Sequence, residues 1–176
     1  MSDSNWEKKF ENAFNIGVRA YQSGERNAGR MFTNRDQVFL STIGCTAQEL
    51  FDFVEDYCDA GEPDLATALA TAAIRRKYFL EVQHGIPSQF QLDPQELPPK
   101  QDEVDGFRWL PRIIAKARAK LRGELDATTM YGCGGDRAFL DSVGITIPQF
   151  LQLVWDADQD DRRIIEAVKD SISAVR

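Results

Sequence analysis

Arg108, Arg112, Lys116 and Lys120 recur every four residues, a spacing that aligns side chains along one face of a helix. A row of guanidinium and ammonium groups suits oxyanions, because arginine binds carboxylate and phosphate through two parallel hydrogen bonds. The run they belong to, residues 108–122, carries six positive charges and no negative one, in a chain whose net charge is −7. The segment that follows, MYGCGGDR at residues 130–137, offers the complementary chemistry. Closely spaced glycines ahead of a short helix can turn backbone N–H groups towards an anion. Cys133 stands inside that loop near Arg137, whose charge would favour a reactive thiolate. The loop has neither the lysine-containing phosphate-loop pattern nor a dinucleotide fingerprint after a strand.

Other chemistry-bearing residues are sparser. His84 is the only histidine, placed just after a long helical pattern, where it suits the C-terminal end of a helix. Cys45 and Cys58 lie among apolar helical residues and read as core. The three cysteines show no CxxC spacing, and one histidine cannot build a transition-metal cluster, so neither metal nor cofactor is expected. The acidic stretch 156–161 lacks the glycine and final glutamate of an EF-hand loop. An acidic protein is a poor ligand for nucleic acid or an anionic membrane. No apolar run is long enough to span a bilayer, no secretory leader is evident, and the odd cysteine count suits the cytoplasm.

The elements that must position these residues come in two copies. FLSTIGCTAQELFDFV at 39–54 returns one hundred positions later as FLDSVGITIPQFLQLV at 139–154, with Phe, Leu, Gly, Thr and Val identical at five of sixteen positions. Each copy reads as a short helix stopped at glycine (Gly44, Gly144), then a second helix opened by a capping box, Thr46 with Glu49 and Thr146 with Gln149. Around them the periodicity predicts a first helix on Trp6, Phe10, Phe14, Val18 and Tyr21, followed by a polar loop, GERNAGR. An alanine-rich helix follows over 64–82, then one over 110–121 and a last one facing inward at Ile165, Val168 and Ile172. Residues 84–106, with four prolines, read as an extended connector with room for a strand within 89–92. The expected fold is all-α: helical units at 1–83 and 107–176 joined by that connector and packed together, with a small pocket in the C-terminal unit. The short helix, turn and capped helix outline a helix-turn-helix, yet the second helix carries Glu49, Asp52, Glu55 and Asp56, which would repel phosphates.

The pattern Trp109-Leu-Pro-Arg-x-Ile-x-Lys-Ala-Arg-Ala-x-Leu-x-Gly123, then Cys133, then Asp136–Leu140 and Gly144–Leu151, resembles an uncharacterised bacterial family, the domain of unknown function DUF5069. The resemblance covers mainly residues 106–155 and implies no activity, cofactor or catalytic residue. It gathers Arg112, Lys116, Arg118, Cys133, Asp136 and Arg137 into the motif-bearing half.

These residues lead to a binding protein. Arg112 and Lys116 would supply charge, Gly134 and Gly135 backbone donors, and Tyr131, Asp136 and Arg137 the walls of a site for a small phosphate or carboxylate. Were chemistry to occur there, Cys133 would be the nucleophile and His84 its base; catalysis is not required by the pattern. The alternative is a protein-interaction module docking an acidic partner through the basic helix 108–122. No motif sets an oligomeric state.

Overall fold

The computed structural model describes residues 5–174, which divide into two compact units, up to Pro87 and from Ser88. The proline-rich segment is therefore split, its larger part belonging to the second unit. Among the described residues the fold is helical apart from one two-stranded hairpin.

The first unit holds α1 (Trp6–Gln22), α2 (Ala28–Met31), α3 (Asn34–Thr42), α4 (Ala47–Ala60) and α5 (Leu65–Glu81). The apolar ladder of α1 buries Phe10, Ala13, Phe14 and Tyr21 against α4, which answers with Leu50, Phe51, Phe53 and Val54. Within GERNAGR the chain makes the single helical turn α2, capped by the Asn27 side chain accepting from the Arg30 amide. Four residues carry too little period to reveal such a turn in a sequence. Thr33 with Asp36 caps α3, and Thr46 with Glu49 caps α4 in the reciprocal manner expected.

Asp64 caps α5 by accepting from the Thr67 amide at 2.8 Å. That backbone bond, with help from the Thr67 hydroxyl, holds the carboxyl below its ordinary value of 3.8. A depressed folded value means the cap stabilises fully above the unfolded value and is lost as pH falls through the folded one. Asp64→Ala should cost about 1 kcal/mol at pH 7, and the penalty should shrink below pH 3.8. Urea unfolding at pH 7 and at pH 3 would check both.

The second unit contains a 3₁₀ turn at Pro94–Glu96 and an antiparallel hairpin of β1 (Glu103–Val104) with β2 (Phe107–Arg108). It continues with α6 (Leu110–Arg122), α7 (Gly134–Val143), α8 (Ile147–Ala157) and α9 (Asp161–Ala174). No strand forms at 89–92. Instead the Leu92 amide donates to the Glu124 carbonyl and the Ser88 hydroxyl to the Glu124 carboxylate, both at 2.8 Å, so this stretch lies beside the end of α6. The core joins Leu110, Ile113, Ala117 and Leu121 of α6 to Phe150, Leu151 and Val154 of α8. From α9 the buried side chains are Ile164 and Val168, one position away from the expected Ile165 at the first contact. Thr146 and Gln149 form the capping box of α8, and Gly144 takes the left-handed conformation that ends α7, φ 68°.

Candidate functional site

The row of four cations does not form a solvent-facing stripe. Arg108 lies in β2 and is exposed, while Lys116 and Lys120 on α6 are 3 % and 2 % exposed. The reason is that α6 is covered on both sides. Its apolar face meets α8, and its cationic face meets residues from the 88–98 stretch and from the loop after Gly123. Arg112, half-buried, donates to the Pro98 carbonyl at 2.8 Å.

Lys116 reaches into the glycine loop. Its Nζ donates to Asp136 Oδ2 at 2.6 Å and to Cys133 Sγ at 3.3 Å. Asp136 is fully buried and collects two further donors: Trp109 Nε1 at 2.9 Å on Oδ1, and the Gly132 amide at 2.8 Å on Oδ2. A carboxylate from the chain itself thus sits where an ammonium, an indole N–H and a backbone amide converge. Buried charge persists only when paired and hydrogen-bonded, and this pair is both. Asp136 is an internal counter-ion, not the ligand-orienting wall expected from the sequence.

Tyr131 is also turned inward, its hydroxyl donating to the Ile147 carbonyl at 2.8 Å. Burial, and then the charge of Asp136, push its phenol well above the ordinary value of 10, so it remains a donor. Arg112 and Tyr131 both fasten backbone carbonyls, on Pro98 and Ile147, and neither hydrogen bond is directed to the glycine loop.

The mouth of the arrangement is the N-terminus of α7. Cys133 stands at the N-cap position and no side chain caps this end. Gly134 and Gly135 are the first two helical residues and both are exposed. Amides in the first turn have no partner within the helix, and the helix dipole adds positive potential there. Arg137 donates to the Gly132 carbonyl at 2.8 Å, and its Nη2 lies 3.8 Å from where a Cβ on Gly134 would stand. Gly135 is required by packing: a Cβ there would fall 2.5 Å from Trp109 Cζ2.

Trp109 was not singled out as a site residue by charge or spacing, yet it organises the cluster. It takes φ 78°, uncommon for a bulky side chain, and its indole lies against Gly135 while donating to Asp136. Its sequence signals are its place at the head of the Trp109–Gly123 pattern and just ahead of Leu110–Pro111, where a helix must start. His84 belongs to the other unit, is exposed, and has φ 53° two residues beyond the α5 cap at Val82. Cys45 is buried in the first unit's core and Cys58 is half-buried. Burial, then the adjacent Asp59 charge, push the Cys58 thiol up. Cys133, also half-buried but contacting an ammonium, should therefore be alkylated faster than Cys58 or Cys45 by iodoacetamide at pH 7.5. Peptide mass spectrometry would read the order directly.

Residues 95–175 match the family model of a domain of unknown function, DUF5069. The match takes in α6 to α9 and every candidate site residue except His84. No curated protein and no solved structure matches the chain. No helix among the described residues is long and apolar enough to cross a membrane.

Proposed function

We propose that the second unit binds a small phosphate- or carboxylate-bearing ligand at the N-terminus of α7. The observation that carries this reading is the unfilled helix start: Gly134 and Gly135 are exposed, no side chain caps them, and the Arg137 guanidinium lies over the first turn. Lys116 lies immediately behind against Cys133 Sγ, its charge balanced by Asp136. Dipole, amides and guanidinium all favour the same charge, and the ligand would need only one anionic group to use them.

The glycines let an oxyanion approach the backbone closely, while Trp109 fixes the loop from behind. Arg112 and Tyr131 act as supports through their backbone contacts. Docking of an acidic protein on residues 108–122 has less to rest on, because Lys116 and Lys120 are buried.

Inorganic phosphate at about a hundredfold over its dissociation constant should stabilise the protein by about 2.7 kcal/mol, a rise of several degrees in Tm. It should also slow alkylation of Cys133 and leave Cys58 unchanged. Arg137→Gln should remove both effects, whereas a variant that responds like the parent would refute the assignment.

A further inference from the structure

The first unit contains a cleft of its own. It has a volume of about 540 Å³ and lies between the outer faces of α1 and α3. Lys9, Asn12 and Ile16 line it from α1; Arg35, Asp36, Val38, Phe39 and Thr42 line it from α3. The positions 9, 12 and 16, and 35, 38 and 39, are spaced as neighbours on single helix faces, so two continuous faces oppose each other. Ile16, Val38 and Phe39 give it apolar surface, and Val38 is 65 % exposed.

Its lining carries two cations, Lys9 and Arg35, and the Asp36 carboxylate. Lys9 Nζ stands 5.8 Å from the centre of the Phe39 ring. Among the described residues neither Lys9 nor Arg35 has an ion-pair partner. Asp36, itself in the lining, is engaged elsewhere, since its carboxylate accepts from the Thr33 amide and hydroxyl at the cap of α3. Two cations without ion-pair partners beside the apolar side chains of Ile16, Val38 and Phe39 are complementary to an amphipathic anion.

At the hundred-residue correspondence, Arg35 and Val38 become Gly135 and Ala138, and the Trp109 indole lies against Gly135. In one copy an aromatic ring packs beside the helix start, while the other presents a cation and an exposed valine.

We propose that the α1–α3 cleft is a second binding site, for a carboxylate carried on a short hydrocarbon body. Its volume falls within the range of small-molecule sites, about 300–1,000 Å³. The lined stretch of α1, Lys9 to Ile16, is about 10 Å long at 1.5 Å per residue, which suits a short chain better than a protein helix. The hydrocarbon lies on Ile16, Val38 and Phe39, and the carboxylate takes the guanidinium of Arg35, with Lys9 adding charge.

Octanoate is the probe, titrated into the full chain and followed by the NMR signals of Ile16 and Val38. Saturable shifts at those residues are expected. Arg35→Gln and Lys9→Gln, both at exposed positions, should each weaken binding about tenfold, the scale of one charged hydrogen bond. Octanol should bind at least about tenfold more weakly than octanoate by the same argument. Arg137→Gln should leave the octanoate titration unchanged, which separates this site from the one at α7. Absent shifts, unchanged affinity in the Arg35 and Lys9 variants, or octanol binding as well as octanoate would each overturn the proposal.

Discussion

Asp136→Ala is expected to destabilise the protein by about 3–5 kcal/mol, the usual result of removing one member of a buried ion pair. The residue has no exposed surface, and its loss leaves Lys116, 3 % exposed, as an uncompensated ammonium. Trp109 Nε1 and the Gly132 amide lose their acceptor in the same step. Replacing both charges tests the cause. Asp136→Leu combined with Lys116→Met should recover most of the loss, because apolar side chains of similar size tolerate such a site. Urea unfolding of the parent and the two variants gives the comparison. A cost for Asp136→Ala within the range of surface substitutions, about 0.5 kcal/mol, would show that the cluster does not hold the unit together.

Gly44→Ala should cost about 2–5 kcal/mol, from two separate causes. The residue takes φ 72°, a left-handed conformation that penalises any L side chain by about 1–2 kcal/mol. A Cβ would also stand 2.7 Å from Phe79 Cγ and 3.0 Å from Arg75 Cζ, in a packed interior where forced insertion costs about 1–3 kcal/mol more. Gly61 provides the control: it has φ 80° but nothing within 4 Å of a Cβ. Gly61→Ala should show the backbone penalty alone. Equal losses at the two positions would mean that α5 does not close on Gly44 as tightly as the structure has it.

Much of this architecture was legible because its signals are local. A capping box spans four residues, and Thr46 with Glu49 or Thr146 with Gln149 needs nothing distant in order to form. Gly44 and Gly144 end their helices for reasons contained in their own φ angles. The direction of the cationic face was not legible in this way. Helical spacing sets Lys116 three and Lys120 seven residues after Ile113, along the border of the apolar face of α6, and their charge alone would send them to water. What turns the cationic face inward is non-local: Asp136 is twenty residues from Lys116, and Pro98 is fourteen from Arg112. The periodicity of α6 contains no trace of either partner.

The site was legible in its members and illegible in its internal roles. Lys116, Cys133 and Asp136 do come together, as three residues of one cluster. Their types could not say that Asp136 would neutralise Lys116 and leave the start of α7 open. Trp109 carries no charge, and its left-handed backbone is set by the hairpin before it and the helix behind it, so sequence chemistry passes it by. The opposite case is the α1–α3 cleft. Its Lys9, Arg35 and Val38 look like ordinary surface residues until two helix faces are set against each other.

The most direct test of ligand binding at α7 is a titration of the protein with inorganic phosphate, following the backbone amide signals of Gly134 and Gly135 by NMR. The account predicts that these two amides move most, that their shifts saturate, and that Arg137→Gln abolishes the response while the remaining spectrum stays that of the folded protein. Amides of Gly134 and Gly135 that stay in place, or that titrate equally well without Arg137, would contradict it.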